Sequence, residues 1–263
     1  MVKIWYNTHM KMKEVRSPIE SVHVRRQAGQ SAQAKADELC NEHALRTVLP
    51  IMIGLLAWIF SLGGTCGWLC FMTCAIVYSA WGWSRRRQEL RHWQLGAEGE
   101  RCVGQILDRE MPPLGYKVYH DIQVVYGKRK MNFDHVLVGK NGVYLLEDKT
   151  RSKPIRGQTE VRLDLERECV FVNGRKDVAP VREALALAKT ANQYFRELTG
   201  CSVFVKPVLV FPGWFCRGEN HQDSPLLILN EKTLSSFLPK HYPPSSMDPR
   251  SLALLTAKLD MVA

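Results

Sequence analysis

The chain has 263 residues, 36 Lys+Arg against 26 Asp+Glu, a formal net charge of +10, and is 46% hydrophobic and 24% charged. This composition excludes a disordered tail, and no internal repeat is visible. The charge is unevenly spread: Thr47 to Ser84 is 38 residues without one Asp, Glu, Lys or Arg, which argues against a simple soluble globule.

The first 46 residues carry 8 basic and 5 acidic side chains and lack hydrophobic periodicity until Ser31. Ser31–Arg46 reads as a helix running into the apolar segment. A bilayer core of about 30 Å takes roughly 20 helical residues. The charge-free stretch is therefore too long for one span and suits two short ones. Ser61-Leu62-Gly63-Gly64-Thr65 has turn composition, so the spacing predicts helices over Thr47–Leu62 and Thr65–Trp83. Trp58, Trp68, Trp81 and Trp83 suit the interface belts. Basic residues flank both ends (Arg25, Arg26, Lys35 and Arg46 before; Arg85, Arg86, Arg87 and Arg91 after), and a hairpin puts both flanks on the cytoplasmic side. The expected division is a cytoplasmic segment 1–46, a transmembrane hairpin 47–84 in the inner membrane, and a cytoplasmic domain 85–263, with both termini cytoplasmic. Cys66, Cys70 and Cys74 share one helix face, to pack between helices or to carry palmitate. No Cys-x-x-Cys pair occurs, so zinc-ribbon and thioredoxin readings have no support.

Beyond the apolar stretch, Arg85–Met111 has helical spacing and ends at Pro112-Pro113. Strand-like runs follow at Tyr116–Val125, Phe133–Gly139 and Gly142–Glu147, with Asn141-Gly142 as a hairpin turn. A strand pair is expected at Val161–Leu165 and Cys169–Val172, then a helix over Val181–Leu198. Val203–Phe211 reads as a buried central strand, Leu226–Leu229 as a short one, and Leu234–Leu238 and Ser251–Met261 as short helices. The order predicts an α/β or α+β fold with a mixed central sheet.

The chemistry concentrates on one hairpin. Asp134 near the start of one strand and Glu147 at the end of the next fall at the same end, with residue 134 opposite a position near 149. Glu147 and Lys149 point to one face. Two carboxylates suit a hard Mg²⁺ ion that keeps several waters, and a neighbouring lysine can hold a phosphate or orient water. Among the 16 lysines, only Lys149 has an acid two residues back. The same residues suit a strand-end salt bridge between Glu147 and Lys149, with Asp134 capping a turn. Asp148 points to the other face, offering its carbonyl.

Gly96-x-x-Gly99-Glu100, then a strand, then Asp134, then Gly142-Val143-Tyr144-Leu145-Leu146-Glu147-x-Lys149 resembles the nuclease-related (NERD) domain of the PD-(D/E)XK superfamily. The likeness covers about Leu95 to Phe211. It implies a restriction-endonuclease-like mixed sheet flanked by helices, here preceded by two transmembrane helices. It also implies hydrolysis of phosphodiester bonds, with DNA as the expected substrate and Mg²⁺ or Mn²⁺ as cofactor. Carried over by position, Asp134 and Glu147 are metal ligands, Lys149 is the catalytic lysine, and Glu100 supports the metal's outer shell. Two departures stand out. Glu183 occupies the place where the family often has Gln, and an acid there repels phosphate; Phe133 replaces the superfamily's proline.

Lys128, Arg129 and Lys130 form a basic turn that either contacts phosphate or is simply solvated. Arg151, Lys153 and Arg156 add cations after Lys149. His135 alternates away from Asp134 and reads as a packed or surface histidine; His120 looks isolated. Two other readings stay open. One is an inactive module of the same fold that binds nucleic acid. The other is a membrane-anchored protein whose domain binds another protein.

Overall fold

The computed structural model describes residues 26–59, 65–154, 159–218, 220, 223–240 and 248–262. Helices α1 (Gln30–Ile59) and α2 (Thr65–Glu110) come first. They run antiparallel. Gly29 meets Ala97 at one end, the ring centroids of His43 and Trp83 are 4.7 Å apart midway, and Gly54 meets the Phe71 ring towards the tip. A Cβ on Gly54 would lie 2.7 Å from that ring, so the absence of a side chain permits the approach.

α2 is one helix where two were expected, over 65–83 and 85–111. The change from apolar to arginine-rich sequence at Ser84 alters the surroundings of a helix and not its backbone preference. Among the described residues no helix is long and apolar enough to cross a membrane, where two transmembrane helices were expected. From Thr47 to Ile59, α1 rises only about 20 Å, short of a bilayer core of about 30 Å. The expected turn at 61–64 lies outside the described residues, as do the side chains of Trp58, Trp68, Cys66, Cys70 and Arg85. The hairpin nevertheless exposes a band of large apolar side chains, including Val48, Met52, Ile53 and Ile59 on α1 and Phe71, Val77, Tyr78 and Trp81 on α2. Cys74 is exposed and does not pack between the helices.

After the proline pair the chain enters strands β1 (Tyr116–Tyr126), β2 (Arg129–Gly139) and β3 (Gly142–Asp148), an antiparallel meander. Gly139 pairs with Gly142, so the turn residues are Lys140 and Asn141. This differs from the expected turn at Asn141-Gly142. His135 pairs with Leu146, which places Asp134 opposite Glu147 and not near residue 149. The register moves by two residues, so every side chain keeps its expected face.

Strands β4 (Glu160–Asp164), β5 (Cys169–Val172) and β6 (Arg175–Asp177) branch away before helix α3 (Ala179–Thr199) returns the chain to β7 (Val205–Val210). β8 (Phe215–Arg217), β9 (Leu227–Leu229), α4 (Leu234–Phe237) and α5 (Pro249–Val262) complete it. The five-stranded sheet has the order β1-β2-β3-β7-β9, with β7 parallel to both neighbours. A second, four-stranded sheet has the order β6-β5-β4-β8. The architecture is α/β with mixed sheets flanked by helices, as the element order led one to expect.

Three apolar clusters hold it together. Val136, Val138, Val143 and Leu145 pack one face of the large sheet against Ala191 and Phe195 of α3 and Leu255 and Leu259 of α5. Leu137, Tyr144 and Leu146 pack the other face against Val103 and Leu107 of α2. Val161, Leu163 and Val170 pack the second sheet against Val181 and Ala184 of α3 and Phe211. β3 and β7 are apolar on both faces because both faces are covered, which is why Val203–Phe211 reads as a continuous apolar run.

Candidate active site

β3 delivers its last residues to a cleft of about 640 Å³ lined by Glu100, Asp148, Lys149, Thr150, Arg151 and Asp177, with Ala32 of α1 and Gly96 of α2. The sheet divides the acids. Glu147 shares the face of Val143 and Leu145, towards α3, and Asp134 lies across from it at the end of the β2–β3 ladder. Asp148 shares the face of Tyr144 and Leu146, towards α2, which carries Glu100.

The two sides are tied together. The Asp148 N–H donates to Asp134 Oδ2 at 2.9 Å. Lys149 Nζ lies 2.8 Å from Glu147 Oε1 and 3.0 Å from Glu183 Oε2. The Lys149 N–H continues the ladder to the Val210 carbonyl at 2.8 Å. Glu183 thus pairs with the lysine from α3, at the position where the resemblance implies a glutamine.

Gly99 has a distinct use. A Cβ built on it would lie 2.1 Å from Thr150 Oγ1, so only glycine lets the loop after β3 close over α2 next to Glu100. A Cβ on Gly96 would meet nothing within 4 Å. Its small size leaves room in the cleft.

Gathering like charges away from water raises their proton affinity. Burial, with the charge of Asp148 next, pushes the Glu100 carboxyl up to about 7, against a small opposing effect of His135. Burial and the charges of Glu147, Glu100 and Asp148 hold Asp134 well above the usual carboxylate range. Burial also raises Glu147, although Lys149 opposes it. For Lys149, burial alone would favour the neutral amine, but Glu147 and Glu183 reverse this and hold it firmly protonated.

Three buried carboxylate oxygens, Glu100 Oε2, Glu147 Oε2 and Asp148 Oδ1, have no hydrogen-bond partner. Unpartnered buried acceptors of one charge sign fit a cation, which would supply what the protein atoms do not. Among the described residues no three His, Cys, Asp or Glu side chains converge as a metal-binding cluster. The acids therefore offer a partial shell, of the kind Mg²⁺ takes with waters and substrate phosphate.

Behind Asp148 lies a chain of contacts that the sequence did not reveal. His135 Nε2 is 3.1 Å from Asp148 Oδ2, both side chains being almost fully buried. His135 Nδ1 is 2.8 Å from His120 Nδ1, and His120 Nε2 is 3.0 Å from Asp108 on α2. His120 is thus not isolated, and His135 holds a cleft carboxylate in place. Burial, then the neighbouring His135, lowers the His120 pKa despite the pull of Asp108. Next to this chain Asp121 is fully buried in a left-handed conformation (φ 48°). It accepts hydrogen bonds from the Ser31 N–H and hydroxyl at 3.0 and 2.5 Å and pairs with Arg26 at 2.8 Å. The start of α1 is anchored by its own positive end to a buried acid of β1.

The expected basic residues are dispersed. Arg151 lines the cleft and pairs with Asp177 at 3.1 Å. Lys153 donates to the Gly213 carbonyl. Lys128 and Lys130 are exposed at the β1–β2 turn, about 13 Å or more along the strand from Asp134. Nothing is described of the Arg129 side chain, and Arg156 lies outside the described residues.

A mixed sheet between helices, with acids and one lysine at the end of its central hairpin, is consistent with a nuclease-like fold. Residues 95–212 match the family model of the nuclease-related domain (NERD). No curated protein matches the chain.

Proposed function

We propose that the protein is a metal-dependent nuclease acting on phosphodiester bonds of DNA, held at a lipid bilayer by its α1–α2 hairpin. The observation that carries the catalytic part is the mutual proximity of Glu100, Asp134, Glu147 and Asp148, three of whose buried oxygens are unpartnered, with Lys149 held by Glu147. Asp134 and Glu147 would give a partial shell for Mg²⁺ or Mn²⁺, completed by waters and substrate phosphate, with Asp148 and Glu100 across the sheet adding negative charge. When bound, the ion would neutralise charge developing on the phosphate. Lys149 donates hydrogen bonds to anionic oxygen. It is protonated at neutral pH and aimed by Glu147, so it can stabilise the pentacoordinate charge. Glu100, near neutrality in proton affinity, can accept a proton from the attacking water. His135 and the Asp134–Asp148 link keep the acids from swinging apart.

The test is supercoiled plasmid incubated with the full chain in Mg²⁺, Mn²⁺ or EDTA. Cleavage that needs the ion and is lost in Lys149→Ala supports the reading. Equal cleavage by Lys149→Ala and wild type overturns it. A second reading is favoured by Glu183, which occupies the lysine that would otherwise meet phosphate. Under it the domain binds nucleic acid without cutting. Salt-sensitive binding that survives Asp134→Ala, with no cut product, is its signature.

The apolar band on the hairpin supports the tether, as does the arginine cluster next to it on α2. Under this reading the protein sits at the inner membrane with its domain on the cytoplasmic side, as the basic flanks of the hairpin favour. Flotation of the full chain with anionic liposomes, lost on deletion of 47–84, tests it.

A further inference from the structure

The second sheet has no place in the mechanism above, yet its outer face is unusual. Its inner face buries Val161, Leu163 and Val170. Side chains alternate across a strand, so Arg162 of β4 and Phe171 of β5 point outward. The register lines up one row across all four strands. Arg217 of β8 pairs with Arg162, Arg162 with Phe171, and Phe171 with Lys176 of β6. The Arg162 guanidinium sits 4.9 Å over the Phe171 ring. Phe215, two residues before Arg217 on β8, shares this face and is 59% exposed. The row borders an open hollow of about 590 Å³. Its nearest carboxylate, Glu160, is 3.7 Å from Arg217, leaving Arg162 and Lys176 without an acid partner among the described ion pairs.

An exposed ring such as Phe215 gives up apolar burial for nothing unless something covers it, and the three cations beside it and the half-buried Phe171 call for a polyanion with flat faces. A duplex hides its bases; a single strand offers both phosphates and bases for stacking. We propose that this row is a binding platform for single-stranded nucleic acid, with Phe171 and Phe215 stacking bases and Arg162, Lys176 and Arg217 tracking the backbone. Asp177, next to Lys176 on β6, lines the cleft and holds Arg151. The inference does not depend on hydrolysis at that cleft.

The test is fluorescence anisotropy of the full chain in detergent micelles with labelled dT15, against a labelled duplex of equal length. The expected result is tighter binding of dT15 than of duplex. Phe215→Ala should weaken dT15 binding about ten-fold, as should Phe171→Ala, and Phe171→Trp should restore it. The triple variant Arg162→Ala/Lys176→Ala/Arg217→Ala should reduce the slope of log K against log salt by about 2. Because Phe215 is exposed, its replacement leaves the fold intact, and an unchanged melting temperature checks this. Preference for duplex, or dT15 affinity within two-fold of wild type in Phe215→Ala and the triple variant, overturns the proposal. The dT15 titration is run in EDTA and reads binding alone, whereas the plasmid assay reads cleavage. Loss of one behaviour therefore does not count against the other.

Discussion

Replacing Glu100 with glutamine should stabilise the protein at alkaline pH while removing function. Burial beside Asp148 raises this carboxyl from 4.5 to about 7. A group whose folded value is raised carries no penalty below the unfolded value. The penalty grows as pH rises from about 4.5 and is complete above about 7. The difference corresponds to about 3 kcal/mol once the group is ionised, of which roughly 2.5 kcal/mol develops between pH 5 and pH 8. Glutamine keeps the shape and cannot ionise, so Glu100→Gln should gain little at pH 5. At pH 8 it should gain roughly 2.5 kcal/mol, or about 5–10 °C in melting temperature for a domain of this size. The assay is thermal unfolding in EDTA at both pH values, followed by tryptophan fluorescence. A Glu100→Gln protein that is less stable than wild type at pH 8, or equally shifted at both pH values, would refute the account of the acids as a frustrated cluster.

Other parts of the site give further expectations. Gly99→Ala should cost about 1–3 kcal/mol by driving a methyl group into Thr150, and Thr150→Ala should recover part of the loss in a double-mutant cycle. His120 has a lowered pKa, so protonating it opposes folding and stability should fall as pH drops through about 6.5. His120→Gln should flatten that acid limb in an unfolding series from pH 5 to pH 8. Ser31→Ala removes a hydroxyl bond to the buried Asp121 and should cost about 1.5–3 kcal/mol, read by urea denaturation.

The sequence shows some of this site plainly. Alternation along Val143–Leu146 and the glycine-flanked turn bring Asp134 and Glu147 together, and the turn error moved the register by an even number and so left their faces intact. The local signals also mark Gly99 and Glu100 on one helix. What stays hidden depends on contacts between distant segments. Asp148 reads as facing away from the chemistry, because its role depends on α2 covering that face and bringing Glu100 to it. His120 and His135 meet only through the β1–β2 register, and no spacing in the chain announces Asp108 at the far end. Asp121 looks like an ordinary polar strand residue until α1 supplies Ser31 and Arg26. β6 and β8 are three residues each at the edges of their sheet, too short to carry a periodic signal. Charge composition misplaced the helix boundary at Ser84 for a similar reason: it reports the surroundings of a segment, and the backbone continues regardless.

Titration of the full chain with Mn²⁺, followed by electron paramagnetic resonance of the free ion, tests the cation site most directly. The account predicts saturable binding of Mn²⁺ by wild type that is competed by Mg²⁺ and lost in Asp134→Asn and Glu147→Gln, both of which remain folded. Absence of bound Mn²⁺ at millimolar concentration, or binding that both variants retain, would contradict it.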